Sequence, residues 1–385
     1  MDFNNRNNIK NMSNKNTKKG KKILGYGVFL ILIVFIAYIL LKYGTIIESI
    51  LNPKNIGFSI SKNVTLSNQY NLNGRLYFVK NNNMWYITGN TTHKVTNTNN
   101  VSDIGISKNG KQVTYVSFHT NYSDLRQMNI NGTNNTQLTD WQSQYIQNEA
   151  WSATPAYEPN GNYIAYDTNI RKLITGIPRA GLGVWMFKNG TTFPSYSSQI
   201  YNETELTIPT RYTGGDADVT WPNNNFLLYT YYIYYTGIAQ PDSQIMLYDF
   251  NTNQSYPVTP VTSEAMEPRL SPNEKYLAFT ERKGNNSNYL YVMKFDLNSI
   301  LNNTEQSSFS NYKNTLQLIS NGINAQPTWS PNGKNIAFIK LNGNSFDIAA
   351  KSIQNKKGKL KFGNLTYITT NSEIDSTSKM YWLEK

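Results

Sequence analysis

Cysteine is absent from this chain of 385 residues, and histidine occurs only twice, at His93 and His119. The absence of cysteine excludes disulfides, thiolate metal sites and cysteine nucleophiles. The two histidines are separated in the sequence, and no Gly-x-Ser-x-Gly motif supplies a serine on a sharp turn. Phosphate-binding and dinucleotide-binding glycine motifs are also absent. These absences favour a binding protein over an enzyme.

Long hydrophobic runs are absent too, with one exception at Ile23–Leu41, which contains nineteen residues without a charge. At ~1.5 Å per residue this run spans ~28 Å, close to the ~30 Å hydrocarbon core of a bilayer. Basic residues precede it, so we expect the N-terminus in the cytoplasm and the chain beyond Tyr43 outside the cell membrane. A cleaved signal peptide is the alternative, but its apolar region is shorter and a small-residue cleavage site follows it. The sequence thus predicts a basic cytoplasmic tail over 1–22, a single transmembrane helix over 23–42 and a stalk over 43–72.

Acidic residues are scarce, with 24 against 36 basic ones, and the net charge is +12. Residues 1–42 supply +7 of this charge, which leaves only +5 over the remaining 343 residues. A nucleic-acid-binding domain would need a concentrated basic face on its folded part, so we expect no nucleic-acid partner. The basic N-terminus instead suits the anionic cytoplasmic surface of a membrane.

A nine-residue motif, SPNGKNIAF at Ser330–Phe338, recurs in altered form along the chain. Its other copies are SPNEKYLAF at Ser271–Phe279, EPNGNYIAY at Glu158–Tyr166, SKNGKQVTY at Ser107–Tyr115 and WPNNNFLLY at Trp221–Tyr229. Each copy predicts a strand, a tight turn and an alternating apolar strand. Aligned on the turn, the chain gives six units of about four strands, and no amphipathic helix of useful length is expected.

Repeated four-stranded units are typical of a β-propeller. The first unit lacks one strand, and the C-terminal segment 378–384 is a strand without a unit. Pairing the two would close the ring and leave no strand edge open. The sequence therefore predicts an all-β fold, a six-bladed propeller over 73–385, with five or seven blades as weaker alternatives. We expect Trp329, Tyr157 and Leu270 to pack between blades.

The segment Pro327–Phe338, PTWSPNGKNIAF, resembles the propeller repeat of the TolB family. Similar repeats build the propellers of prolyl oligopeptidase and dipeptidyl peptidase. The resemblance covers roughly residues 73–385 and implies the fold. The catalysis of the oligopeptidases belongs to an added α/β-hydrolase domain, so it is not expected here. TolB itself is soluble and carries another N-terminal domain, so its partnership with Pal is not expected either.

Carboxylates collect near one position of the repeat. Five residues before each motif proline, or its replacement Lys108, the sequence has Asp103, Thr154, Ala217, Glu267 and Gln326. Further acids near this position are Glu149, Asp216, Asp218, Glu264 and Asp375. We expect these residues at the mouth of the central channel, where Asp216, Asp218 and Glu267 would supply oxygen ligands for calcium. The alternatives are a site for a basic peptide, or solvated loop acids without a ligand.

The sequence thus predicts a membrane-anchored, extracytoplasmic propeller that serves as a protein-interaction or scaffold module of a cell envelope. One alternative is a propeller enzyme, a metal-dependent lyase or hydrolase acting at the acidic mouth. Another is a glycan-binding module, because exposed aromatic rings stack on sugars and the chain contains 28 tyrosines. The residues do not identify the partner.

Overall fold

The computed structural model describes residues 63–67, 70–141, 150–170, 181–193, 203–207, 213–233, 242–284, 286–302, 305–356 and 359–384. The predicted cytoplasmic tail, transmembrane helix and most of the stalk fall outside these ranges. Within them, no helix has the length and apolar character that crossing a bilayer requires.

The strands form six antiparallel sheets, each mostly built from strands consecutive in the chain. Blade one contains β1 (Leu72–Lys80), β2 (Asn83–Gly89), β3 (Thr91–Lys94) and the C-terminal β25 (Tyr381–Leu383). Blade two contains β4 (Val101–Ile106), β5 (Gln112–Phe118), β6 (Ser123–Asn129) and β7 (Thr136–Gln137). Blade three contains β8 (Ser152–Tyr157), β9 (Tyr163–Thr168), β10 (Gly183–Lys188) and β11 (Thr204–Glu205).

The remaining blades follow the same order, with an addition in the last. Blade four contains β12 (Thr213–Asn223), β13 (Phe226–Ile233), β14 (Asp242–Asp249) and β15 (Gln254–Pro257). Blade five contains β16 (Ala265–Leu270), β17 (Tyr276–Arg282), β18 (Asn288–Lys294) and β19 (Gln317–Ser320), and a 3₁₀ turn (Val261–Ser263) precedes it. Blade six contains β20 (Asn324–Trp329), β21 (Asn335–Asn342), β22 (Ser345–Lys356), β23 (Lys359–Phe362) and β24 (Thr366–Tyr367). Strand β22 is long enough to pair with both β23 and β24.

The described residues form six hydrophobic core clusters, one between each pair of neighbouring blades. Strand β21 shows how the sequence produces this arrangement. Its alternation sends Ile336 and Phe338 to the cluster shared with blade five, and Ala337 and Ile339 to the cluster shared with blade one. Because side chains alternate across a strand, one apolar run serves two interfaces. The predicted all-β, six-bladed propeller is confirmed.

The ring closes through pairing of β25 with β1, in the register Leu76↔Trp382 and Tyr77↔Tyr381. The indole of Trp382 donates a hydrogen bond of 2.7 Å to the Asn73 carbonyl. Trp382 is buried in the cluster between blades six and one. The first and last strands of the propeller are therefore held in one blade.

The recurring turn has a hydrogen-bonded basis. The Ser330 hydroxyl accepts from the Asn335 amide at 2.9 Å, and the Asn332 side chain accepts from the Lys334 amide at 3.0 Å. Gly333 adopts φ = +68°, the left-handed conformation that glycine tolerates best. Serine, asparagine and glycine thus recur because the turn needs their side chains and backbone freedom. As predicted, Trp329, Tyr157 and Leu270 belong to the layers between blades.

Two sequence-based expectations need correction. Residues 63–67, assigned to the stalk, pack on the propeller instead: Val64 is buried in the core, and Leu66 bridges to Thr369. Val64 and Leu66 alternate with polar residues, so they form a short extended segment with one apolar face. Two helices, α1 (Leu297–Leu301) and α2 (Glu305–Thr315), connect β18 to β19, although no amphipathic helix of useful length was expected in this part of the chain. Their asparagine- and serine-rich sequence is a poor helix former, and tertiary contacts of Leu297, Ile300, Leu301 and Tyr312 with the core override that preference.

Candidate functional site

The six innermost strands present one equivalent residue each toward the centre of the ring. In four blades this residue lies in a β-bulge and has a left-handed backbone, with φ of 41°, 56°, 59° and 47° for Thr154, Asp218, Glu267 and Gln326. Such a conformation is costly for a residue with a side chain, so neighbouring contacts must hold it. Bulges of this kind re-aim a side chain, here toward the centre of the ring.

Hydroxyl groups on the second strands hold these bulged residues. Thr230 donates to the Asp218 carboxylate at 2.9 Å, and Thr280 donates to the Glu267 carboxylate at 2.8 Å. In blade three the roles are reversed, and the Thr154 hydroxyl donates to the Asp167 carboxylate. The same backbone geometry thus brings an acid into the centre from either the first or the second strand.

The predicted central residue of blade four is wrong by one position. Counting back from the motif proline predicted Ala217 at the channel position, but the structure places Asp218 there. Pro222 follows Trp221 directly, whereas blades five and six have a serine between the two corresponding positions. Counting from the interblade residue rather than from the proline gives the correct position in each blade.

Blade one contributes a cation, Lys379. It lies three residues before Trp382, the position that Gln326 occupies relative to Trp329 in blade six. Its ammonium group donates to the Pro155 carbonyl at 2.8 Å and lies 3.2 Å from Oδ2 of Asp103. It also reaches the Val219 carbonyl at 3.4 Å, and its backbone amide donates to Asp103 at 2.7 Å. Lys379 is buried and thereby connects blade one to blades two, three and four.

A second cation, Arg269, lies on the innermost strand of blade five. Its guanidinium donates to the Pro268 carbonyl at 2.9 Å and to the Gln326 side-chain carbonyl at 3.2 Å. Gln326 in turn donates to Glu267 from its backbone amide at 2.9 Å and from its side chain at 3.1 Å. Blades five and six are joined by this chain of polar contacts.

Carboxylates outnumber cations in this buried centre. Among the described residues it contains five acids, Asp103, Asp167, Asp216, Asp218 and Glu267, against Lys379 and Arg269. Oδ1 of Asp167 is buried without a hydrogen-bond partner among the described residues. The described part of the chain therefore supplies fewer side-chain cations than carboxyl groups at this centre.

Burial governs the titration of these acids. It raises the pKa of Asp216 to about 7, although the Thr207 hydroxyl donates to that carboxylate. Burial also raises the pKa of Glu267 to about 8, and the nearby Asp218 carboxylate adds to the effect. The pKa values of Asp167 and Asp218 are raised by the same cause, whereas burial lowers the pKa of Lys379. The centre is thus poised to gain or lose protons near neutral pH.

The other predicted residues lie elsewhere. Glu264 is about one-third exposed and pairs with Arg282 rather than with a charged residue of the central cluster. Asp375 accepts from Thr377 in a turn, and burial together with the nearby Asp103 carboxylate raises its pKa. Glu149 lies outside the described residues. The sequence reasoning missed Asp167, Arg269 and Lys379. For Lys379 a signal existed, since Lys379–Trp382 has the spacing of Gln326–Trp329.

The predicted calcium site gains no support from the geometry. Among the described residues, no three histidine, cysteine, aspartate or glutamate side chains are placed to hold one metal ion. The carboxylates of Asp216, Asp218 and Glu267 accept hydrogen bonds from Thr207, Thr230 and Thr280 respectively. Calcium binding by these three residues stays a prediction.

The fold and its ring of polar residues define a six-bladed β-propeller. No family model matches the chain, and no curated protein matches it. Among solved structures it is similar to TolB from Acinetobacter baumannii, with 14% identity, coverage of 81% of this chain and 67% of that chain, and a TM-score of 0.55. It is also similar to a putative TolB from Agrobacterium tumefaciens (12% identity, 80% and 92% coverage, TM-score 0.48). Hydrazine synthase from Kuenenia stuttgartiensis is a further match (9% identity, 80% and 48% coverage, TM-score 0.51). The likeness to TolB from Acinetobacter baumannii establishes a TolB-like propeller fold.

Proposed function

We propose that this chain is a protein-interaction module of a cell envelope. A single-pass anchor with its N-terminus in the cytoplasm would carry the propeller outside the membrane. The acidic channel would receive a lysine or arginine side chain from a partner peptide. The observation that carries the proposal is the buried excess of carboxylates over cations at the centre of the ring.

A buried excess of carboxylates is stabilised when the acids take up protons or when a cation binds beside them. An isolated ionised carboxylate in an apolar setting is so costly that it takes up a proton instead, in line with the raised pKa values of Glu267 and Asp216. A guanidinium or ammonium group beside these acids would replace the protons and gain charge-assisted hydrogen bonds. Asp218 and Glu267 keep exposed fractions of 9% and 8%, so they are the acids that a partner reaches first.

The anchor rests on Ile23–Leu41, whose length and lack of charge suit a bilayer span. Carbonate extraction of membranes, followed by protease treatment of intact cells, tests this part separately. The proposal expects full-length protein in the extracted membrane fraction and cleavage of the propeller from outside. Release by carbonate, or protection of the propeller in intact cells, would contradict the proposed location.

Peptide binding to the purified full-length chain in detergent tests the channel. A tri-arginine peptide should bind, and the neutral tri-citrulline peptide of similar shape should bind at least tenfold more weakly. The double variant Asp218→Asn/Glu267→Gln removes the charge with little change of shape and should also lose at least tenfold. Glu264→Gln is the matched control, because Glu264 lies outside the central cluster and should not affect binding. Equal binding of both peptides, or no loss in the double variant, would refute the channel as the binding site.

A further inference from the structure

A polar cavity of about 210 Å³ lies on blade two, separate from the channel. Residues of the connection before β4 form one wall, and side chains of β5, β6 and β7 form the others. At ~30 Å³ per water molecule the cavity has room for about seven waters. That volume suits one small polar molecule.

Two oxygen acceptors in this cavity lack adequate donors. Asn100 donates from its side-chain nitrogen to Ser117 at 2.7 Å, but its Oδ1 atom is buried with no hydrogen-bond partner among the described residues. Asp124 uses Oδ1 to accept from Thr139 and from the Trp141 amide, both at 2.9 Å. Among the residues that the structure describes, its Oδ2 has only a long contact of 3.5 Å to Gln137. Buried acceptors in this state favour a ligand that brings hydroxyl donors.

A fixed donor group faces these acceptors. Arg126 donates from Nε to Asn135 and from Nη1 to Gln137, both at 3.0 Å. These two amides hold the guanidinium plane in place, so a ligand would find it already oriented. Arg126 and Asp124 also bring one positive and one negative charge to the same cavity. A neutral ligand with several hydroxyl groups matches this balance better than an anion or a cation does.

A stacked pair of rings completes the wall. His119 lies against Tyr122 with ring centroids 4.4 Å apart and an interplanar angle of 14°. Burial lowers the pKa of His119, and the charge of Arg126 lowers it further, so the imidazole is neutral at neutral pH. A neutral aromatic wall beside convergent hydrogen-bonding groups is the usual surrounding of a sugar ring, whose C–H face is apolar.

We propose that this cavity binds one neutral sugar ring, with Arg126, Asp124 and Asn100 bonding its hydroxyl groups and the His119–Tyr122 pair packing on its C–H face. The volume limits the bound part to a single ring, so a longer glycan would enter by a terminal unit. The site is independent of the proposed peptide site in the channel, since it uses none of the same residues.

Saturation-transfer NMR of the full-length chain with methyl glucoside, galactoside, mannoside and N-acetylglucosamine tests the proposal. At least one sugar should show transfer, and its affinity should fall at least tenfold in Arg126→Gln and in His119→Ala. The matched control is His93→Ala, because His93 stacks on Tyr86 in a similar way but lies exposed on blade one. That control should bind as the parent does.

Asp124→Asn separates ligand contact from folding. The asparagine oxygen can still accept from Thr139 and Trp141, so the blade should remain intact while the sugar loses its carboxylate acceptor. Unchanged melting with at least fivefold weaker binding would support the proposal. No transfer to any of the four sugars at their solubility limit would overturn it, as would binding that survives both Arg126→Gln and His119→Ala.

Discussion

Removal of the buried ammonium group of Lys379 should weaken the whole ring, because this one side chain connects four blades. The substitution Lys379→Met keeps most of the side-chain stem but deletes the contacts with Asp103 and with the carbonyls of Pro155 and Val219. Asp103 would remain buried without its ion-pair partner, and the Pro155 carbonyl would lose its donor.

The size of the effect follows from the burial of the pair. Breaking a buried ion pair by removing one partner costs about 3–5 kcal/mol. The folded unit runs from Ser61 to Lys385, so at ~2.1 cal/mol/K per residue its unfolding entropy is about 0.7 kcal/mol/K. The melting temperature should therefore fall by about 4–7 °C.

Differential scanning calorimetry of the parent and the variant measures this loss. Lys111→Met is the matched control, because Lys111 is exposed and its side chain should contribute less than ~0.5 kcal/mol. The double variant Asp103→Asn/Lys379→Met should lose less stability than the sum of the two single variants, since the uncompensated charge is gone. A melting temperature of Lys379→Met within one degree of the parent would refute the bridging role.

Three further predictions concern closure, the helical insertion and pH. Trp382→Ala should destabilise the propeller by about 3–5 kcal/mol in urea unfolding, because it leaves a cavity in the core between blades six and one and removes the hydrogen bond to Asn73. Tyr312→Phe should cost about 1–3 kcal/mol, because the fully buried carboxylate of Glu281 loses the donor that ties α2 to blade five. Since the folded pKa of Glu267 is raised to about 8, stability is highest below its unfolded value and falls as pH rises. Between pH 6 and 8, the parent should lose about 2 kcal/mol more than Glu267→Gln does.

Each of these predictions has a control within the chain. Trp151→Ala removes a partly buried indole outside the closing blade and should cost less than Trp382→Ala. Tyr256→Phe removes an exposed hydroxyl and should be nearly neutral. Glu264→Gln should keep the parent pH dependence. Equal effects of variant and control in any of the three comparisons would contradict the corresponding reasoning.

The blades could be predicted from the sequence because each blade depends on local sequence signals. The Ser330 turn and the alternation in β21 are short-range patterns with a direct structural cause, and they predicted six blades of about four strands each. The insertion α1–α2 was missed for the opposite reason. Its residues favour no regular structure by themselves, and its helices depend on contacts such as that of Ile300 with the core.

The candidate site was predicted only in part. Repeat spacing placed Asp103, Glu267 and Gln326 at the channel, but it misplaced the blade-four residue by one position. The cations Lys379 and Arg269 were missed because their partners come from other blades, up to 276 residues away in the sequence. These contacts form only after the ring has closed, so no local pattern reveals the pairing, although the spacing of Lys379 to Trp382 gives the position of Lys379 in the repeat.

Calorimetry of tri-arginine binding at pH 7 in two buffers of different ionisation enthalpy tests most directly whether the acidic channel is a binding site. Glu267, with a pKa of about 8, is mostly protonated at this pH, and Asp216, with a pKa of about 7, is about half protonated. A guanidinium beside them favours the ionised carboxylates, so binding should release about one proton and the two buffers should give different heats. Equal heats in both buffers, or the same proton release from the Asp218→Asn/Glu267→Gln variant, would contradict binding in the channel.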